Sequence, residues 1–141
     1  QLGRMFAIAA RRMGYRVHIF SPEKDGPAAQ LADLSTDADY DDEAAVTKFA
    51  REIDVLTFEF ENIPAQTIAW AAQERIVRPR GEVLHIAQNR LREKEFLAGA
   101  GLPVAPFQRF ASLADLPNAL ESIGRHAILN GAAFGLEGTD Q

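Results

Sequence analysis

The sequence predicts an α/β domain built on a doubly wound parallel sheet, and three observations carry that reading. Strand-like and helix-like patterns alternate as far as residue 80, the order that builds parallel sheets with right-handed crossovers. The stretch Asp54–Phe60 reads as a strand that turns acidic at its end, with Glu59 and Glu61 pointing opposite to Phe58 and Phe60. A strand covered on both faces is usually apolar throughout, so carboxylates at its carboxyl end are a departure, and ligands of open α/β sheets bind just outside that end. Finally, Gln1-Leu2-Gly3-Arg4-Met5 stands at a helix start, where unpaired backbone N–H groups attract anions.

In chain order, Leu2, Met5, Phe6, Ala9 and Met13 recur at helical spacing, with Arg4, Arg11 and Arg12 off that stripe. Gly14 stops this helix. Tyr15–Phe20 reads as a strand, followed by a loop through Ser21-Pro22 and Asp25-Gly26-Pro27, and Ala28–Ala32 as one helical turn. Thr36–Tyr40 is a short strand. Asp41-Asp42 provides the cap for a helix over Glu43–Glu52. Pro64 opens the helix to Gln73, and Ile76-Val77 is a brief strand ended by Pro79. Two helices follow, Gly81–Ala87 and Arg90–Ala100, the second closed by Gly101 and Pro103. Val104–Phe110 is strand-like, with Pro106 demoting it to an edge or connector. Ser112 and Asp115 form a capping signal for a helix over Leu113–Ile123, which Gly124 ends. His126–Leu129 reads as a strand, and the remainder is rich in glycine and small residues.

The 141 residues, 47% hydrophobic, suffice for one ordinary core. A net charge of -5 argues against nucleic acid as the main partner. Without cysteine, disulfides and thiolate metal sites are excluded, which fits a reducing cytoplasm. No apolar run approaches a membrane span and no signal-peptide pattern is visible, so the expected location is cytoplasmic. Gln1 leads straight into a helical pattern, so truncation at the start is expected. His18, His85 and His126 have no metal-ligand spacing and are expected to pack or face solvent. Trp70 and the phenylalanines are read as core, with an interface as the alternative for Trp70.

Together these segments resemble a known family. Gln1-Leu2-Gly3-Arg4-Met5, Ala38-Asp39-Tyr40-Asp41-Asp42 and Thr57-Phe58-Glu59-Phe60-Glu61-Asn62-Ile63-Pro64 are similar, in order, to 5-(carboxyamino)imidazole ribonucleotide synthases of the ATP-grasp superfamily. So are Val77-Arg78-Pro79, Ile86-Ala87-Gln88-Asn89-Arg90, Glu93-Lys94 and Gly101–Phe107. The resemblance implies a Rossmann-like pre-ATP-grasp domain over 1–80 lacking its first strand. It implies a helical linker over 81–103 and, over 104–141, the truncated beginning of a small α+β ATP-grasp lid subdomain. It also implies a ligase of purine biosynthesis that joins bicarbonate to 5-aminoimidazole ribonucleotide with ATP and Mg²⁺, and a homodimer. The Mg²⁺ ligands would lie beyond Gln141, no metal site is expected in the chain, and no residue is assigned a catalytic role. Gln1, Leu2, Glu59 and Glu61 are the implied substrate contacts; an ion pair is an equal alternative for Glu59. Arg90, Asn130, Gly135, Leu136, Glu137, Gly138 and Gln141 fall at ATP positions.

The tail departs from that pattern. Asn130 stands where the family carries a lysine on ATP phosphate, Thr139 replaces a basic residue, and Asp140 replaces a glycine. Each change reduces attraction for a triphosphate. A charged hydrogen bond is worth about 1.5–3 kcal/mol, so weak ATP binding is the expectation. Two other readings remain open at this point. One is a catalytically silent Rossmann-like module for ligand binding or dimerisation; a dinucleotide as its ligand is disfavoured by Ser21-Pro22, which stands where such a site wants an acid. The other is the formate-dependent glycinamide ribonucleotide transformylase of the same superfamily, which the first and third segments disfavour.

Overall fold

The computed structural model describes residues 1–124 and 126–132. Two compact units divide the chain, Gln1–Leu84 and His85–Gln141.

The first unit is mixed α/β with parallel strands. Helix α1 spans Leu2–Arg12, β1 His18–Ser21, β2 Leu34–Asp37 and α2 Glu43–Arg51. Then come β3 at Val55–Leu56, α3 at Ala65–Glu74, β4 at Ile76–Val77 and the start of α4, Gly81–Ala87. Local chemistry sets these limits. Gly14 sits at φ 87°, a left-handed conformation that ends α1 at little steric cost. The Asp42 side chain accepts from the Ala45 N–H at 2.9 Å and caps α2 as expected. Arg75, just past α3, donates to the carbonyls of Ile53 at 2.7 Å and Arg51 at 3.0 Å, satisfying acceptors where α2 has ended.

The strands pair as β1–β2 and β3–β4, both parallel, giving two two-stranded sheets where the sequence suggests one. The strand expected over Asp54–Phe60 is correspondingly reduced to Val55–Leu56, because a ladder extends only as far as a neighbour pairs with it. The strand read at Thr36–Tyr40 lies instead at Leu34–Asp37.

Two separate groups of buried residues form the core. Val46, Ala50, Ile68, Ala71, Val77 and Leu84 join α2, α3, β4 and α4, with Phe20, Leu56, Phe58 and Trp70 packed around them. Ala7, Ala10 and Val17 form the other, with Ile19 and Leu31 against it. Phe20 belongs to one group and Ile19 to the other, so β1 is covered on both faces, as alternation along a strand requires. Thr67, buried on α3, donates to the Tyr40 carbonyl at 2.6 Å and fixes the loop before α2.

His18 lies on the α2 side of β1, its ring 4.7 Å from that of Phe49 and its Nε2 2.9 Å from the Thr36 hydroxyl. Burial pushes this imidazole below its usual 6.5, partly opposed by the Glu52 carboxylate 4.0 Å from Nδ1. The folded protein therefore holds His18 neutral while the unfolded chain binds a proton below 6.5. Stability contributed by His18 is present above 6.5 and is lost as pH falls through that value towards the lower folded one. Thermal melts are expected to show the midpoint falling as pH drops below about 6.5, and the His18→Gln variant to show a smaller fall.

In the second unit, α5 spans Arg90–Gly99 and α6 Leu116–Ile123, the latter preceded by a 3₁₀ turn at Leu113–Asp115. The Ser112–Asp115 capping box read from the sequence is present. The strands expected at Val104–Phe110 and His126–Leu129 are not formed. Pro106 cannot donate to a ladder. Ile128 and Leu129 are exposed, with no sheet among the described residues to pair with them. The Lys94 ammonium over the Phe107 ring, 5.5 Å from its centroid, ties the 104–110 segment to α5.

Candidate functional site at the strand ends

A cleft of about 950 Å³ opens in the first unit between β1 and β3. At one end it is bounded by Gln1, by Gly3 and Arg4 of α1, by Ser21 at the end of β1 and by Thr57–Phe60 after β3. This is the carboxyl end of the strands, where open α/β sheets place ligands.

Helix α1 starts without a side-chain cap and with no acidic residue in its first turn. Its first N–H groups and the positive end of its dipole are thus available to an anion. Facing them is Glu59. A β-carbon built on Gly3 would stand 3.7 Å from Glu59 Oε1 and 3.4 Å from the Ala28 β-carbon, so the carboxylate lies against the first helical turn. Glu59 also acts on Tyr40. The Tyr40 hydroxyl is held by Ser21, and burial, with the Glu59 charge adding to it, pushes the phenol above its usual 10. Tyr40 is therefore neutral at neutral pH and presents a hydroxyl able to donate or accept.

An electropositive helix tip, one carboxylate and two hydroxyls converge here. That set suits a sugar phosphate: N–H groups for the phosphate, Glu59 to accept from sugar hydroxyls or an amine, Ser21 and Tyr40 to orient. Gln1 and Glu59, expected as substrate contacts, share this end of the cleft. Leu2 is exposed on α1. Glu61 is exposed beyond the end of β3 and makes an interaction of its own; among the described residues lining the cleft, Glu59 is present and Glu61 is not. Neither Ser21 nor Tyr40 is among the substrate contacts expected from the sequence. The available signal was positional, since Ser21 is the last residue of β1 and the residues just after a parallel strand are where sites form.

In the second unit, the Arg90 N–H donates to the Ala132 carbonyl at 2.8 Å, which brings the segment containing Asn130 to the start of α5. Arg90 is mostly exposed and pairs with Glu93 at 3.2 Å, the solvated-face arrangement that its neighbours suggest. Asn130 is exposed and uncharged. Gly135, Leu136, Glu137, Gly138 and Gln141 lie outside the described residues.

Parallel strands with helices on both faces of β1, and a cleft at the strand ends, define a mixed α/β domain. The chain belongs to the ribonucleotide synthetase preATP-grasp domain family, whose profile matches residues 1–88. It is 40% identical over all 141 residues to the bifunctional purine synthesis protein purC/E of Dictyostelium discoideum, covering 14% of that protein. It is 36% identical over its whole length to the N5-carboxyaminoimidazole ribonucleotide synthase of Bacillus subtilis, covering 37% of it. Among solved structures, an ADP complex of N5-carboxyaminoimidazole ribonucleotide synthetase aligns over 98% of this chain and 37% of its own, with a TM-score of 0.89 and 36% identity. The Aspergillus clavatus synthase, in complex with ADP and 5-aminoimidazole ribonucleotide, aligns over 88% of this chain and 34% of its own at a TM-score of 0.79 and 27% identity. The chain thus spans well under half the length of these relatives.

Proposed function

We propose that the chain supplies the ribonucleotide-binding end of a ligase that carboxylates 5-aminoimidazole ribonucleotide with bicarbonate at the expense of ATP. The observation that carries this reading is Glu59 set against the uncapped first turn of α1 at the carboxyl ends of β1 and β3. Relatives at 36–40% identity bear the name of that pathway or enzyme, and one at 27% was solved with the ribonucleotide. The helix tip holds the phosphate, Gln1 and Leu2 flank it, and Glu59 accepts from the ribose or the amine. Glu61 stays in the proposal as a second carboxylate near the same strand end.

The same reading makes 104–141 the beginning of an ATP-grasp lid after a 1–80 doubly wound domain and an 81–103 linker. Arg90 and Asn130 are then on the nucleotide side, and a cytoplasmic homodimer is the assembly. Among the described residues only one Arg90 nitrogen contacts Glu93, and the guanidinium has further N–H donors suited to a phosphate, but neutral Asn130 offers no charge. Calorimetry with ATP is therefore expected to give a dissociation constant weaker than micromolar. ATP would supply the phosphoryl group that activates bicarbonate. Mg²⁺ belongs to such chemistry, but among the described residues no group of three or more acids or histidines could hold a metal ion, so no role here is assigned to it.

The ribonucleotide reading is tested by thermal shift with 5-aminoimidazole ribonucleotide against NAD. A ligand in about 100-fold excess over its dissociation constant stabilises by about 2.7 kcal/mol. The ribonucleotide is expected to raise the midpoint and NAD to leave it unchanged; the reverse result would favour a dinucleotide-binding module.

A further inference from the structure

Asparagine occurs at positions 62, 89, 118 and 130, and only Asn130 is followed by glycine. That pair is chemically distinct. The backbone nitrogen of the residue after an asparagine can attack the side-chain amide carbon and close a five-membered ring. A side chain on the following residue crowds that attack, and glycine has none. The ring also needs a backbone able to turn the two groups together, which fixed helical angles or a held side chain prevent.

The structure separates Asn130 from the other three. Asn62 precedes Ile63, which is β-branched and buried. The Asn89 side chain accepts from the Arg92 N–H at 3.0 Å as the cap of α5, so its amide is held. Asn118 lies within α6. Asn130 is exposed and stands outside helix and strand, as does Gly131. Neither makes a hydrogen bond to another described residue. The one comparable pair, Asp25-Gly26, is held by Gln30, which donates to the Asp25 carbonyl at 3.1 Å from its side chain and to the Gly26 carbonyl at 3.3 Å from its backbone.

We infer that Asn130-Gly131 is a self-modification site at which the neutral amide converts to a carboxylate. The Gly131 nitrogen loses its proton and bonds to the Asn130 side-chain carbon; the bond to the amide nitrogen breaks and ammonia leaves. Water, the one co-reactant, then opens the succinimide at either carbonyl. One product is aspartate in an unaltered backbone. The other is isoaspartate, with the backbone routed through the side-chain carbon.

The new charge falls at a defined place. The Arg90 N–H donates to the Ala132 carbonyl at 2.8 Å, so the carboxylate arises two residues before a contact with the first residue of α5. There it gains from the positive end of the helix and competes with an anionic ligand for the Arg90 guanidinium. The effect on nucleotide rests on the proposed placement of Arg90 and Asn130 on the nucleotide side; the conversion itself does not.

The full chain, kept warm in mildly alkaline buffer, is followed by proteolytic peptide mapping and mass spectrometry. The peptide containing residue 130 is expected to gain the mass difference between an amide and an acid. It is expected to split into aspartyl and isoaspartyl forms, the second labelled by an isoaspartate-specific methyltransferase. Peptides containing Asn62, Asn89 and Asn118 are expected to keep their masses over the same time. Raising the pH should speed the conversion, because the attacking nitrogen reacts as its anion, and Gly131→Ala should slow it several-fold or more. The inference is overturned if residue 130 remains an amide, if another asparagine converts first, or if Gly131→Ala converts as fast as the parent. It is also overturned if aspartate forms without isoaspartate, the mark of direct hydrolysis. Calorimetry with ATP distinguishes the two proposals. Binding several-fold weaker after conversion supports both, while conversion with unchanged affinity upholds the modification and counts against placing Asn130 on the nucleotide side.

Discussion

Ile68→Ala is expected to cost about 2–5 kcal/mol of stability. Ile68 is 3% exposed and is surrounded by Val46, Ala50, Ala71, Val77 and Leu84. Its neighbours leave little room to collapse into the void. Ala50 and Ala71 are fully buried alanines that already let α2 and α3 approach closely. On α4, a β-carbon added to Gly81 would lie 3.1 Å from Ile68 Cγ2, so backbone already rests on this side chain. The loss is a large share of the ~5–15 kcal/mol typical of a whole domain. Urea unfolding is the measurement: the midpoint should fall with an unchanged slope. Leu113→Ala, at a position 79% exposed, should stay within about 0.5 kcal/mol. Equal effects from the two variants would show that the α2–α3 group is not the stabilising core.

Glu59→Gln is expected to weaken binding of 5-aminoimidazole ribonucleotide about tenfold or more with little change in stability. The side chain is exposed, so removing its charge leaves no buried group unsatisfied. A hydrogen bond to a charged acceptor contributes about 1.5–3 kcal/mol, and ~1.4 kcal/mol is a factor of ten in affinity. The amide keeps the shape and one acceptor, so the change isolates charge. Calorimetric titration reads it directly. If the variant binds as tightly as the parent, Glu59 is structural and the contact must be sought elsewhere, with Glu61 the next residue to change.

Helices with local stop and start signals were legible in the sequence. Gly14 and Gly101 end α1 and the Arg90 helix at positive φ, while Asp42 caps α2 and Ser112 caps the 3₁₀ turn ahead of α6. Such signals act over a few residues, so one segment contains all the information. Strands were less legible, because pairing is a property of two segments. Asp54–Phe60 has strand character throughout, yet only Val55–Leu56 has a partner. His126–Leu129 has the right composition and no partner at all among the described residues. The site divided in the same way. Gln1, Glu59 and Glu61 stood out because a helix tip and an acidic strand end depart from what packing alone requires, and of the two carboxylates Glu59, not Glu61, is among the described residues lining the cleft. Ser21 and Tyr40 did not, since a serine ending a strand and a tyrosine in an acidic loop have ordinary explanations; only their approach to each other and to Glu59 gives them a role.

The central claim is that the helix tip and Glu59 form one sugar-phosphate site at the strand ends. Amide chemical-shift mapping of the labelled chain during titration with 5-aminoimidazole ribonucleotide tests it most directly. Shifts concentrated at Gln1–Arg4, Ser21, Tyr40 and Thr57–Phe60 are the expected result. Saturable binding that leaves those residues unmoved, or no binding at millimolar ligand, would contradict it.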